Sequence, residues 1–370
     1  MTAPSALTPT FKSLSAVAFL SLWGLMAANG TLVTLLKTAW SGVFPDKTRL
    51  QTGYTGIVLI DFPISILVAF FYGLQNLPGT PSHLMLVDLV AVLLVINMMT
   101  IVESRRLNPA KRLQSSLLWQ YSWNCTGVAL ILPIYSLFHV KSKFEDATIS
   151  RRLPRRESQA LPLTAVLSLL VPVPLLLPAA MGATPTQIQI GLVLYLTTPA
   201  CCVLFQILAS VAMSKYAATS SSGWFATKPV MVAYLIVGTA SALTHLAVVS
   251  DVLFWTRSPN LTLTRLYLPD HTTVQQGQDN VLKAGALLFF QWDYIIINLT
   301  SLCHGYFLLQ RKAFEIQRPG DGVGGLFLIM VCLTAVFGPG AGLVFALLWH
   351  EDEGEVILNN LSRSQRSYGT

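Results

Sequence analysis

The chain is poor in charge. Asp, Glu, Lys and Arg make up 11% of its 370 residues, against about 25% in an ordinary soluble domain. With 53% hydrophobic residues and a mean hydropathy of +0.58, that scarcity excludes a soluble globular protein. Cysteine is scarce as well. Cys125, Cys201, Cys202, Cys303 and Cys332 all fall in apolar stretches without CxxC or Cys/His ligand spacing. They read as packing residues, with neither a disulfide framework nor a metal site. No DDxxD-type aspartate cluster, P-loop, strand-borne GxGxxG, HExxH or GxSxG occurs, so the sequence predicts no metal and no cofactor. The net charge of +7 is spread over the loops between apolar runs, which suits membrane flanks and not nucleic acid.

What the sequence does hold is a series of apolar runs at about 15–36, 53–74, 83–103, 116–139, 160–182, 187–212, 229–255, 284–310 and 323–349. About 20 apolar residues cross a bilayer as a helix. The expected fold is therefore all-α, a polytopic transmembrane helical bundle of eight or nine spans. Lys12 precedes an apolar run longer than the roughly 7–15 residues of a signal-peptide core, which predicts an uncleaved first span. The organisation reads as a four-span part over 1–140, a polar basic loop over 141–159, a part of about five spans over 160–350 and a polar tail over 351–370. These form one functional domain. Lys and Arg divide evenly between the two sides of this arrangement, so the positive-inside rule returns a tie. A re-entrant segment would break it, and the proline-rich fifth run (Pro162, Pro172, Pro174, Pro178) is the weakest span. Sequons at Asn260 and Asn360 would mark the lumenal side if used.

Polar residues inside apolar runs carry the functional reading. Asp293 lies in the middle third of KAGALLFFQWDYIIINLTSLCHGYFLLQ. An ionised Asp there costs about 2.5–3.5 kcal/mol on insertion scales, so it must be paired, neutral or useful. It follows Phe289, Phe290 and Gln291 and is flanked by Trp292 and Tyr294. Asp61 lies two residues before Pro63, where a kink is expected. Gln120, Asn124 and Gly127 share one face beside an i, i+4 pair of Trp119 and Trp123. Asp88 reads as snorkelling towards headgroups, Glu103 as a solvated boundary ion pair, and His245 as a satisfied interhelical histidine. Gly338-Pro339-Gly340 predicts a broken last helix. For each acid the alternative is a hydrogen bond to a neighbouring helix.

Two deep carboxyls, amides and many aromatics in apolar surroundings suit acid-initiated rearrangement of a hydrophobic substrate. A neutral Asp can protonate an alkene or epoxide, and aromatic faces can stabilise the resulting carbocations by about 0.5–2 kcal/mol each.

The runs with Asp61-Phe-Pro-Ile-Ser, Trp119-Gln120-Tyr-Ser-Trp-Asn124 leading to Pro133-Ile-Tyr135, Gln291-Trp292-Asp293-Tyr294, and Phe337-Gly-Pro-Gly-Ala341 followed by Trp349 resemble the fungal integral-membrane terpene cyclases of meroterpenoid clusters. The ascofuranone/ascochlorin and macrophorin cyclases are the types most similar. The resemblance implies metal-independent cyclisation of a farnesyl chain on a phenol or quinone, begun by protonating a terminal epoxide or alkene, in the endoplasmic reticulum membrane. It implies a hydrophobic prenylated substrate, the bilayer as surroundings and no cofactor. Shorter relatives use one early and one late buried carboxylate, which by position match Asp61 and Asp293. Trp123, Asn124, Gln120, Trp292 and Tyr294 would shape the cavity. Two other classes stay open. One is a proton-coupled or small-molecule transporter, the other a receptor-like or scaffolding membrane protein in which Asp293 is structural.

Overall fold

The computed structural model describes residues 3–75, 79–145, 152–216, 228–256, 261–274, 280–315 and 323–367, with side chains described as far as 351. Among these residues the only non-helical pairing is an isolated bridge between Val43 and Arg49, so the all-α expectation holds. Helices α1 (Leu7–Ala28), α3 (Val58–Gln75), α4 (Pro81–Ser104), α7 (Arg155–Ala180, interrupted before Val173), α10 (Pro229–Trp255), α12 (Val281–Glu315) and α13 (Val323–Ser367) are built on the long apolar runs. Among the described residues seven stretches are long and apolar enough to cross a membrane, or eight with the pair α8 (Pro185–Leu196) and α9 (Thr198–Tyr216), which bends by 55°. Shorter helices among the described residues are α2 (Thr31–Ser41), α5 (Ser116–Thr126), α6 (Val128–Glu145) and α11 (Leu263–Tyr267).

Helix α4 is the axis. Its side chains from Leu84 to Glu103 are buried almost without interruption, as expected for a helix apolar all round. Thr80 caps it by accepting from the His83 amide at 3.4 Å, and Pro81 fits the first turn, where its missing N–H costs nothing. The helix gives the bundle two ends. One, at Ser104, gathers Arg105, Arg106, Lys111, Arg112, Lys143 and Arg155, and is called here the basic end. The distal end lies at Pro81.

Two expected spans do not run from one end to the other. The run 116–139 forms α5 and α6, broken at Gly127, whose φ of +97° is open to glycine and strained for other residues. The two arms lie side by side: the Trp119 ring sits 5.3 Å from Tyr135 and 6.2 Å from Phe138. The flanks of this hairpin meet, since the Leu107 amide donates to the Arg152 carbonyl at 2.9 Å and Arg105 lies 3.8 Å from Glu157. The run 323–349 behaves alike. Gly338 leaves the helical region at φ 83° and ψ 168°, and Met330 before it and Ala346 after it both lie against Gly305. The far arm then returns to the basic end, where Glu351 pairs with Arg106 at 2.5 Å and Lys312 lies 4.9 Å above the Trp349 ring. The broken last helix is thus a helical hairpin. Hydropathy sees the apolar length of both runs but not a reversal made by one residue.

Smaller differences follow from caps. The first helix begins at Leu7 and stops before Gly30, so its apolar run is divided between α1 and α2. Helix α6 reaches Glu145 and α7 opens at Arg155, so helix occupies both edges of the expected loop. Residues 146–151, Asn260 and the Asn360 side chain lie outside the described residues.

Candidate active site

The tip of the first hairpin meets α12. The α6 amides at its start have no intrahelical partner, and the Ala129 amide donates to Asp293 Oδ1 at 2.6 Å. Asp293 is 1% exposed. A helix N-terminus carries about half a positive charge and favours a carboxylate held against it. The absence of a side chain at Gly127 permits this contact, because a Cβ there would stand 3.0 Å from Phe289 Cζ and 3.2 Å from Leu22 Cδ1.

Asp293 lines a cavity of about 670 Å³, counting the open space at its mouth. Its walls are aromatic: Trp23, Phe70, Phe71, Trp123, Phe289 and Phe290. Phe289 meets Trp23 edge-on at 6.1 Å and Phe70 at 5.1 Å, while Phe290 lies 5.5 Å from Phe70. Trp23 is fixed by donating its indole N–H to the Thr126 carbonyl at 2.9 Å, beside the hairpin tip. Asn124 adds a polar group to the same wall as Asp293.

Of the residues picked out from the sequence, Asp293, Trp123 and Asn124 come together here, and four do not. Asp61 caps a turn. Its carboxylate accepts from the Thr55 amide and hydroxyl, both at 2.8 Å, and from the Gly56 amide at 3.0 Å, just ahead of α3. Gln120 is fully buried and donates to Thr100 Oγ1 at 3.0 Å. Trp292 faces His271, with ring centroids 6.1 Å apart. Tyr294 donates its hydroxyl to Asp88 Oδ2 at 2.9 Å. Successive helix positions turn by about 100°, so neither neighbour of Asp293 can share its face. Phe289 and Phe290, at i−4 and i−3, do share it. That spacing is the signal by which they could have been found.

Two further buried polar groups correct the sequence reading. Asp88 is wholly buried rather than snorkelling. Its Oδ2 accepts from Tyr267 at 2.7 Å as well as Tyr294, and His245 Nδ1 lies 2.9 Å away, which bears out the satisfied histidine. Burial and the adjacent Asp88 push the Tyr267 hydroxyl above its ordinary range, keeping it a donor. Glu103 is buried too, not solvated. It accepts from Arg106 at 2.7 Å and Lys143 at 2.7 Å, with His139 Nε2 at 3.3 Å. His139 in turn lies 2.8 Å from His304, joining α6 to α12.

Residues 7–354 match the CtvD domain. The chain belongs to the CtvD domain family. It is similar to two proteins named terpene cyclase DEP1: one from Fusarium langsethiae, 28% identical over 91% of this chain and 96% of that one, and one from Alternaria brassicicola, 29% identical over 94% and 99%. Terpene cyclase alnG of Emericella nidulans is 24% identical over 92% and 93%. No solved structure matches. Among the described residues no group of three or more His, Cys, Asp or Glu could hold a metal ion.

Proposed function

We propose that this CtvD-family protein is a terpene cyclase of a fungal endoplasmic reticulum membrane, acting on a farnesylated phenol or quinone, or its terminal epoxide, in meroterpenoid biosynthesis. The observation that carries the reading is Asp293 held at a helix N-terminus on the wall of an aromatic cavity. The named activity of the three relatives supports it.

In this reading neutral Asp293 gives its proton to the terminal alkene carbon or epoxide oxygen. The carboxylate left behind is stabilised by the Ala129 amide and the α6 dipole, which are already in place when the charge develops. The cation passes along the chain as each alkene π pair closes a ring, and Trp23, Phe70, Trp123, Phe289 and Phe290 offer it aromatic faces. Loss of a proton from the last cation regenerates an alkene. Because Asp61 is engaged in its turn, the Asp293 carboxylate recovers that proton itself. The product is then an isomer of the substrate, and no metal enters the scheme. An acid at a half-helix end within a membrane also serves proton-coupled carriers, which is the competing reading.

The test is a microsomal assay with a farnesylated phenol, with and without its terminal epoxide, followed by mass spectrometry. An isomer of unchanged mass that disappears in Asp293→Asn at matched expression is the expected result. No isomer from either substrate, with the protein folded, would overturn the proposal in favour of the carrier.

A further inference from the structure

The two hairpins remove the tie in basic charge. A segment that enters and leaves by one end does not change sides, so the connections before α5 and after α6 share a face. The same holds for the two ends of the apolar run in α13. The direct contacts are the Leu107–Arg152 backbone hydrogen bond and the Arg106–Glu351 pair. Both runs are apolar enough to sit in a bilayer, and irregular backbone at that depth is tolerated where protein surrounds it. Gly127 is covered by Phe289 and Leu22, and Gly338 by His245.

Helices α1, α7, α9, α10 and α12 can be followed from one end towards the other. Helix α1 starts at the basic end, with Phe11 5.9 Å from Phe307, and carries Trp23 to the level of Phe289. Helix α7 leaves the basic end and α9 returns to it, where Arg156 donates to the Ser210 carbonyl at 2.9 Å. Helix α10 runs away from it, bringing His245 to Asp88, seven residues into α4 from the distal end. Helix α12 starts distally, its Lys283 backbone against Gly73, and returns to Arg311, which donates to the Lys143 carbonyl at 2.7 Å. Among the described residues the basic end therefore gathers more cations than the distal end, where Lys47, Arg49, Arg265 and Lys283 lie.

We infer that the basic end is the cytosolic face, resting on the anionic phospholipid headgroups of that leaflet, with both chain termini on it. The two hairpins are re-entrant from the cytosol, and the cavity opens in the far half of the bilayer. Cytosolic flanks are enriched in Lys and Arg, and each such residue near an anionic leaflet gains about 1 kcal/mol. Phe289, Phe290 and Asp293 occupy the first half of α12, and Leu86, Leu89 and Val90 the first half of α4, both counted from the distal end. A prenylated substrate is thus drawn from the leaflet remote from the cytosol. That last step rests on the proposed cyclase activity; the orientation does not.

The experiment is a series of spaced glycosylation acceptors inserted singly after Asn108, before Arg155 and after Gly182, read in sealed microsomes beside epitope tags on both termini. Only the Gly182 insertion should give an endoglycosidase-sensitive mobility shift, and both tags should be lost to added protease. Glycosylation after Asn108 or before Arg155 would overturn the first hairpin. A protease-protected terminus would overturn the orientation. Both readouts are independent of catalysis, so a protein that failed to cyclise anything would still reveal which face its loops and termini occupy.

Discussion

The amide of Ala129 and the carboxyl of Asp293, 164 residues apart in sequence, meet at 2.6 Å. The contact ties the tip of one hairpin to the first half of helix α12. Asp293→Asn keeps an oxygen for that amide and removes the proton. Turnover should fall about 100- to 10,000-fold, the usual worth of a general acid, with an unchanged thermal midpoint. Asp293→Leu should also destabilise the protein, by about 1–3 kcal/mol, through an unpaired buried amide. Isomer formation and thermal unfolding in detergent separate the two effects.

Asp61→Asn should lower the thermal midpoint while leaving turnover per folded molecule as in the wild type, because its carboxylate closes the Thr55–Gly56 turn and lies outside the cavity. Activity normalised to the folded fraction is the deciding measurement. A loss as deep as that of Asp293→Asn would restore Asp61 to the chemistry.

Gly127→Ala should cost about 1–3 kcal/mol, because its backbone at φ 97° and ψ 137° lies in a sparsely populated region, and displace Phe289. Turnover should fall further than stability alone explains, since the Ala129 amide moves with the tip. Gly53→Ala is the control, with open space around it. Comparing kcat and the thermal midpoint of the two variants checks the assignment.

Glu103→Gln leaves Arg106 and Lys143 buried beside a neutral partner. Removing one member of a buried ion pair costs about 3–5 kcal/mol. Denaturant unfolding should show a loss on that scale. The remote position of Glu103 predicts little change in the product formed by the surviving folded protein.

Much of this was legible in the sequence, and the limits have physical reasons. Length and hydropathy carry the all-α bundle because a bilayer admits few other backbones. Asp293 stood out because a carboxyl at that depth demands an explanation. Asp61 looked equivalent by the same measure, yet a cap is made by preceding amides that a hydropathy plot does not register. Trp292 and Tyr294 were drawn in by adjacency to the acid, although helical rotation turns them from it. Trp23 and Phe70 carried no mark at all, since an aromatic residue in an apolar run is ordinary until the fold shows which cavity it faces. The reversals at Gly127 and Gly338 are the deepest omission, because each depends on a neighbour far along the chain.

The Ala129–Asp293 contact also sets an order of events during synthesis. A chain emerging from the ribosome presents the first hairpin long before α12 exists. Until α12 arrives, the amide at the tip lacks the carboxyl that receives it, and an unpaired amide is costly to hold in hydrocarbon. The hairpin's final seating is consequently a late step, completed only once the acid that receives it has been made.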